Sequence, residues 1–318
     1  MTETDRSPIE LEETACLFCG PGETRPAASG YDYEYGVSDQ HFCFVECRRC
    51  GHFFLKPRPR PSEAVRIYPQ NYYTLEGRHT RWWLAEIKQR ITANRLAFFT
   101  DRLDQGCDVF EVGCGDCSLL LGLQARFPRS TFAGIDLNLS ATARKACRSK
   151  GIRLRQGSIE AAELEAGRYD LIIMNQLLEH LWEPVWVLKK LRVAMKSDGC
   201  LSIETPNLAG YDRRFFAQGI WGGYYFPRHL NLFSAESLGR LLQGCGFEIV
   251  LKKNLLAPII WTFSLHARFA PSRAPSARAR FFSDRNPICL GLFSAVDLLA
   301  LLGGATTSNQ KIIARKTG

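Results

Sequence analysis

The sequence predicts an α/β fold built on a doubly wound, seven-stranded Rossmann-like sheet, and three observations support this class. From residue 108 onward, short apolar runs typical of strands alternate with runs that have helical periodicity, as parallel sheets require. Two C-x-x-C pairs lie before that region and predict a small separate module. Apolar sequence over 255–308 separates the sixth strand-like run from the last, which predicts a helical insertion before the final strand.

Composition limits the classes of protein that the chain can be. The 318 residues are 46% hydrophobic and 23% charged, which is typical of soluble globular proteins. A net charge of +9 suits nucleic acid, an anionic membrane surface or a phosphorylated substrate. The first residues lack the basic and apolar pattern of a secretion signal, and the chain has twelve cysteines. We therefore expect a reducing, cytoplasmic location, with some cysteines serving as metal ligands.

Composition shifts and motifs divide the chain into six segments. We predict a disordered tail at 1–14, a zinc-ribbon module at 15–60 and a connector with a helix at 61–104. The core domain is predicted at 105–254, an apolar helical insertion at 255–308 and the last core strand at 309–318. The connector prediction rests on the proline-rich sequence between 51 and 75, which favours extended chain. An amphipathic helix is expected over 81–103.

The two C-x-x-C pairs are Cys16 with Cys19 and Cys47 with Cys50. Each pair forms a turn that can direct two thiolates at one ion, and two pairs make a four-thiolate zinc site. Four thiolates leave no open coordination position, so the Zn²⁺ is expected to be structural. Buried cysteines without a metal are the alternative.

The core begins with a strand, a tight turn and a helix over 108–123. Glu111 lies near the end of the strand, and Gly113 and Gly115 form the turn, where a ligand can approach the backbone closely. Dinucleotide-binding turns have the pattern G-x-G-x-x-G, but the third glycine is missing here. The stretch resembles motif I of class I S-adenosylmethionine-dependent methyltransferases, except that Cys117 stands where a third glycine is usual. The resemblance implies that Glu111 answers the positively charged amino group of the donor.

Polar residues follow the next strands at the same edge of the predicted sheet. Asp136 ends the second strand and suits ribose hydroxyls, although a dinucleotide site would use an acid there too. Asn175 and Gln176 end the fourth strand, and Ser158 stands where the family's aspartate meets the adenine amino group. Because ligands of such sheets bind outside the carboxyl ends of the strands, these residues are expected to bind the donor.

The sequences Leu178-Glu-His-Leu181 and Thr205-Pro-Asn207 make the resemblance more specific. They resemble the branch of class I methyltransferases that is related to quinone-biosynthesis O-methyltransferases. With the two cysteine pairs, the N-terminal two-thirds resembles zinc-ribbon methyltransferases of bacterial sugar and surface-glycan clusters. The resemblance implies S-adenosylmethionine as cofactor and a small-molecule, sugar or lipid-linked saccharide acceptor.

Two histidines are candidate general bases for methyl transfer. His180 follows the fourth strand, and His229 lies in an aromatic, glycine-containing segment after the fifth strand, where family members place substrate. The resemblance favours His229, because related sugar methyltransferases use a histidine in a similar place. A histidine that merely satisfies local hydrogen bonds is the alternative for His180.

Three functions remain open at the level of sequence. The leading one is the methyltransferase described above. A second is a quinone-type O-methyltransferase at the inner face of the membrane, which the segment 255–308 would contact as a pair of interfacial helices. The same segment could instead cover the substrate pocket or a dimer face. A third is a zinc-ribbon protein that binds or methylates nucleic acid, but the scattered basic residues argue against it.

Overall fold

The computed structural model describes residues 7–68, 96–99, 103–216, 219–269, 279, 281–283 and 286–317. Most of the helix expected over 81–103 lies outside these residues, and 96–99 is helical. Within the described chain, none of the helices combines the length and the hydropathy that crossing a membrane would need.

The N-terminal module is built from short strands around an aromatic core. It contains β1 (Leu11–Glu12), β2 (Thr24–Gly30), β3 (Phe42–Cys47), β4 (Phe53–Leu55), β5 (Arg58–Pro59) and the helical turn α1 (Ala64–Ile67). Strands β2, β3 and β4 pair antiparallel, and β1 pairs antiparallel with β5. Phe42, Phe44 and Leu55 are buried between this sheet and the rest of the molecule.

Two predictions for this region are wrong for the described residues. The expected tail is ordered from residue 7, since Ile9 is buried and Arg66 donates hydrogen bonds to the carbonyls of Ser7 and Pro8. The proline-rich stretch is packed rather than an extended connector, because Ile67 and Tyr68 are buried in the core of the module. Prolines are tolerated there since β5 pairs along one edge and Pro61 starts a helical turn.

The core is a seven-stranded sheet flanked by helices, as predicted. Its strands are β6 (Asp108–Val112), β7 (Thr131–Asp136), β8 (Arg153–Gln156), β9 (Tyr169–Asn175), β10 (Met195–Pro206), β12 (Phe247–Leu255) and β13 (Asn309–Lys316). They lie in the order β12-β13-β10-β9-β6-β7-β8, and only β13 runs antiparallel to its neighbours among them. The helices α2 (Ser118–Arg126), α3 (Ala141–Ser149), α4 (Pro184–Ala194), α5 (Arg213–Phe216) and α6 (Ala235–Gly244) connect them.

Apolar residues on both faces explain why the central strands are buried. Alternate residues of β9 contribute to two separate clusters: Ile172 and Met174 to one, Leu171 and Ile173 to the other. Both faces are therefore covered, and polar groups concentrate at the carboxyl ends of the strands.

The short strand β11 (Asn231–Leu232) joins the N-terminal module to the core. It follows the fifth core strand in the chain but pairs antiparallel with β4, so it completes a four-stranded sheet with β2, β3 and β4. His52 of the module also hydrogen-bonds Asn231 at 3.1 Å. The module therefore shares a sheet with the segment that contains His229.

The insertion before the last strand forms two packed helices, α7 (Pro258–Phe269) and α8 (Pro287–Leu302). Asp297, a single acid within an apolar run, is fully buried between them. Its carboxyl group accepts hydrogen bonds from the backbone of Ala257 at 2.6 Å, from the Trp261 indole at 2.9 Å and from the Tyr211 hydroxyl at 3.2 Å. This acid therefore ties the insertion to the core.

Candidate functional site

The turn after β6 has the backbone shape that a close-fitting ligand requires. Gly113 and Gly115 have φ angles of +75° and +51°. Cys117, in the place of a third glycine, has φ +61° and lies fully buried at the start of α2. The left-handed conformation is therefore reached without glycine, at the steric cost of a side chain in that region.

Two acids flank this turn, as expected. Glu111 and Asp136 are 5% and 4% exposed and lie on adjacent parallel strands. Asp136 accepts hydrogen bonds from the backbone of Gly115 at 2.8 Å and of Asn138 at 3.0 Å. Burial raises the pKa of Asp136 above its usual value, because burial disfavours the charged carboxylate.

The polar residues after β8 and β9 have different surroundings. Among the described residues, both amide atoms of Asn175 are buried without a hydrogen-bond partner. Gln176 has φ +50° and donates to the Asn309 side chain at 3.0 Å. Ser158 caps its own turn through hydrogen bonds with Glu160. Asn175 is thus ready for a ligand, whereas Gln176 and Ser158 are already engaged within the protein.

Sequence reasoning missed a buried ion pair at this edge. Glu204, opposite Asn175 in the parallel register, lies 3.3 Å from the ammonium group of Lys311. Asn309 also donates to Glu204 at 3.2 Å. Glu204 and Lys311 face each other across β10 and β13, and the sequence analysis predicts 309–318 only as the last core strand. The available signal was the run of three consecutive polar residues, Asn309-Gln310-Lys311, at the start of β13.

The structure brings His180 and His229 together, with ring centroids 4.6 Å apart, and places Glu179 beside them. His229 Nε2 lies 3.9 Å from a Glu179 oxygen, beyond hydrogen-bond range. Burial lowers the pKa of His229 to about 4 and that of His180 well below its usual value. Burial raises the pKa of Glu179 to about 8. At neutral pH both imidazoles are therefore uncharged.

Hydrogen bonds distinguish the two imidazoles. His229 Nδ1 lies 2.8 Å from the Gly223 carbonyl, so this nitrogen carries the hydrogen and Nε2 keeps its lone pair. His180 Nδ1 lies 2.9 Å from the Tyr68 hydroxyl and 3.1 Å from the Arg228 carbonyl. Together with Glu179, both imidazoles also offer the donor types of a divalent-metal site.

Two stacked aromatic rings, Tyr225 and Phe263 of the insertion, lie on one side of this cluster. Tyr225 stacks on Phe263 of α7 at 6.0 Å and lies 5.1 Å from His229. The backbone of Gly222 donates to Ser264 of α7 at 2.8 Å, and a Cβ on Gly222 would lie 2.5 Å from the Ile260 carbonyl. Glycine at 222 therefore lets α7 pack directly onto the segment that carries His229.

The four predicted zinc ligands form one cluster. The sulfur atoms of Cys16, Cys19, Cys47 and Cys50 lie within 4.8 Å of one another. Tetrahedral zinc with sulfur at about 2.3 Å places its ligands about 3.8 Å apart, so the cluster fits the ion. Burial opposes ionisation of Cys47, but backbone hydrogen bonds from Arg49 and Cys50 lower its pKa to about 7. Burial raises the pKa of Cys16 and Cys50, and the neighbouring Cys50 thiol raises that of Cys19. A thiolate is the form that zinc binds.

Comparison with known proteins assigns the core to a family. The family model described as a methyltransferase domain matches residues 83–252, more than half of the chain. The chain belongs to the methyltransferase domain family. The resemblance seen in the sequence is confirmed, and the observed order of the seven strands agrees with it.

Curated relatives of this methyltransferase domain match over part of their length. A probable S-adenosylmethionine-dependent methyltransferase of Mycolicibacterium smegmatis is 26% identical over 147 residues, which cover 45% of this chain and 53% of that protein. A ubiquinone biosynthesis O-methyltransferase of Xanthomonas axonopodis is 32% identical over 161 residues, covering 47% and 65%. The chain therefore spans about half to two thirds of these relatives.

A solved structure shows the same fold over most of the chain. The 1,6-didemethyltoxoflavin-N1-methyltransferase of Burkholderia thailandensis, bound to its substrate and S-adenosylhomocysteine, aligns with a TM-score of 0.51 at 14% identity. The alignment covers 92% of this chain and all of that protein. At this identity the likeness concerns the fold alone.

Proposed function

We propose that this methyltransferase domain transfers a methyl group from S-adenosylmethionine to a small-molecule, sugar or lipid-linked saccharide acceptor. The observation that supports the donor best is the buried pair Glu111 and Asp136 on either side of a turn with two left-handed glycines. Glu111 would pair with the positively charged amino group, and Asp136 would accept hydrogen bonds from the ribose hydroxyls. Asn175 would supply donors and acceptors for the remainder of the cofactor, with Gly113 and Gly115 giving it backbone access.

His229 is the proposed general base. Its Nε2 lone pair is fixed by the hydrogen bond from Nδ1 to Gly223, and its ring is neutral at working pH. As the acceptor attacks the donor's methyl carbon, its proton would pass to Nε2, and the donor's sulfur would leave as the neutral thioether. Glu179 lies 3.9 Å from this nitrogen, but burial raises its pKa to about 8, so its carboxyl group is mostly protonated at neutral pH and is not assigned a role in the transfer. His180 is held by Tyr68 and Arg228, which favours a supporting role.

The acceptor and the base are tested together. Radiolabelled S-adenosylmethionine is offered with nucleotide sugars, lipid-linked saccharides and demethylated quinone head groups. For the acceptor that is methylated, we expect His229→Ala to lower kcat by about 10²- to 10⁴-fold while the Kd for S-adenosylhomocysteine changes by less than about threefold. His41→Ala, at an exposed histidine of the N-terminal module, is the control. Unchanged turnover in His229→Ala, or loss of donor binding, would contradict this role.

A second candidate, membrane-associated quinone methylation, is favoured by the outer side of α8. Its exposed apolar residues include Ile288, Leu292, Leu299 and Leu302, which are 70, 57, 69 and 77% exposed. Together with Ala295 they follow heptad spacing along one stripe of the helix. Five arginines occur in the sequence 268–285, directly before α8 in the chain. An apolar stripe next to basic sequence suits an anionic lipid surface.

Vesicle flotation tests this contact. We expect the full chain to float with vesicles that contain phosphatidylglycerol and to lose that binding on Leu292→Glu with Leu299→Glu. Val193→Glu, at an exposed apolar residue on α4, is the matched control. Absence of flotation, with concentration-dependent self-association that the paired substitution abolishes, would assign the stripe to a second copy of the chain instead.

The four-cysteine cluster is proposed to hold one structural Zn²⁺. The ion would organise the turns at Cys16–Cys19 and Cys47–Cys50, which end in left-handed Gly20 and Gly51. Gly20 and Gly51 donate backbone hydrogen bonds at 2.8 Å to the carbonyls of Cys16 and Cys47. These bonds close each turn around a pair of sulfur atoms.

A further inference from the structure

Arg228, the residue before His229, is fully buried and reaches into the N-terminal module. Its two terminal nitrogens donate to the two carboxylate oxygens of Asp32 at 3.0 and 2.8 Å. Its Nε donates to the Ile67 carbonyl at 2.8 Å, and the guanidinium lies 4.5 Å from the Tyr35 ring. The Arg228 side chain is therefore held by several residues of the N-terminal module, which is distant in the sequence.

The surroundings of Asp32 favour its charged form and its pairing with Arg228. Its side chain is fully buried and also accepts hydrogen bonds from the backbone of Tyr35 and Val37, each at 3.0 Å. Burial alone would raise the pKa of Asp32, but the Arg228 charge and these hydrogen bonds lower it below the usual value. Planar, two-point pairing fixes the direction of the guanidinium as well as its position.

The backbone of the same arginine holds the histidine cluster. The Arg228 carbonyl lies 3.1 Å from His180 Nδ1, and the backbone N–H of His229 donates to the Tyr225 carbonyl at 3.3 Å. Tyr225 is in the left-handed region at φ +43°, and its ring lies 5.2 Å from the guanidinium. Beyond the turn, Leu55 of β4 donates to the Leu230 carbonyl at 2.9 Å. The turn 225–229 is thus fixed to the module through the Arg228 side chain and through the adjoining Leu230.

We propose that Asp32 and Arg228 are positioning residues for methyl transfer, through which the N-terminal module sets the orientation of the His229 imidazole. This inference rests on the proposed role of His229 as the base. Neither residue is assigned contact with the acceptor or the donor. A displacement of about 1 Å at a reacting group costs on the order of 10²-fold in rate, so a rigid anchor beside the base has a large kinetic effect.

Arg240 provides a matched control for the possibility that Arg228 only holds the N-terminal module against the core. It also links the core to the N-terminal module, because its guanidinium donates to the Cys50 carbonyl at 3.0 Å and lies 5.5 Å from the Phe18 ring. It lies on α6, and its contacts are with the cysteine turns rather than with the segment that carries His229. Arg228→Gln and Arg240→Gln therefore make the same chemical change at two links between the same units.

The test compares Arg228→Gln, Asp32→Asn and Arg240→Gln with the wild-type full chain loaded with zinc. A fourth variant, Asp32→Leu with Arg228→Met, replaces the whole pair by apolar side chains, which buried pairs often tolerate without loss of stability. The measurements are kcat and KM with the acceptor found above, the Kd for S-adenosylhomocysteine, and the His229 tautomer by NMR of ¹⁵N-histidine-labelled protein.

We expect the three variants of the pair to lower kcat by about 10- to 100-fold with donor affinity within about threefold of wild type. The single Nδ1–H tautomer of His229 should give way to exchange between tautomers, and Arg240→Gln should change neither quantity. Wild-type kcat and tautomer in the folded apolar double variant would overturn the inference. The His229→Ala variant separates the two proposals: if it keeps turnover, the base assignment itself fails, whereas a loss confined to His229→Ala refutes only the positioning role.

Discussion

At the scale of single residues, the proposed donor site depends on two buried carboxyl groups, Glu111 and Asp136, near the carboxyl ends of adjacent strands. Asp136 already accepts two backbone hydrogen bonds, one from Gly115 in the glycine turn. It therefore shapes the turn and presents its remaining acceptor capacity to a ligand. Its replacement should weaken binding in both ways.

We expect Asp136→Ala to weaken binding of S-adenosylhomocysteine by about 10- to 100-fold, because a hydrogen bond to a charged group contributes about 1.5–3 kcal/mol. Isothermal titration calorimetry measures the change. Asp170→Ala is the control, since Asp170 lies at the opposite end of β9 and pairs with Lys196. Equal affinities for wild type and Asp136→Ala would remove Asp136 from the donor site.

Single residues also show how much of the candidate site could be predicted from the sequence. Asp136 and Asn175 end their strands and Glu111 lies one residue before the end of another. Because parallel strands bring their carboxyl ends to one edge, the sequence could predict that these residues meet there, and their contact with the donor stays a prediction. The pairing of Asp32 with Arg228 could not be predicted, because they are 196 residues apart and no periodicity relates them. The expected adenine contact at Ser158 stays a prediction, and its hydroxyl is already used within its own turn.

At the scale of secondary-structure elements, the apolar runs of the insertion predicted helices, but they did not predict how those helices pack. Asp297 is a single acid within an apolar run, and in the structure it is the acceptor for donors from Ala257, Trp261 and Tyr211. Helical periodicity does not distinguish a buried acid from one that faces solvent. In the structure, α7 packs against the segment that carries His229, and one stripe of α8 is exposed.

We expect Asp297→Ala to lower the free energy of unfolding by about 2–5 kcal/mol, because it leaves buried N–H and O–H donors without an acceptor. Chemical denaturation measures the loss. Leu299→Ala, on the exposed side of the same helix, should change stability by less than about 0.5 kcal/mol. Similar losses in both variants would mean that the hydrogen bonds of Asp297 contribute little.

At the scale of the whole molecule, the N-terminal module and the core form one continuous unit around the histidines. The strand β11 is supplied by the core and completes the module's sheet. The two cysteine pairs identified the module from the sequence, but a strand of two residues gives no pattern that predicts its partner. Zinc removal should consequently affect more than the module itself.

We expect one zinc per chain, and we expect Cys16→Ser with Cys47→Ser to lose it and to lower kcat by disordering the module beside β11. Atomic emission gives the metal content, and limited proteolysis reports the order of the module. Cys43→Ser, a thiol of the same module outside the four-sulfur cluster, should keep the metal. Native zinc content without those two ligands would contradict the assigned site.

The most direct measurement is calorimetric titration of the zinc-loaded full chain with S-adenosylhomocysteine. We expect saturable binding at one site per chain, weakened by Asp136→Ala and unchanged by Asp170→Ala. No heat of binding for either this product or S-adenosylmethionine, from protein shown to be folded and metal-loaded, would contradict the assignment of the glycine turn and its two acids as a methyl-donor site.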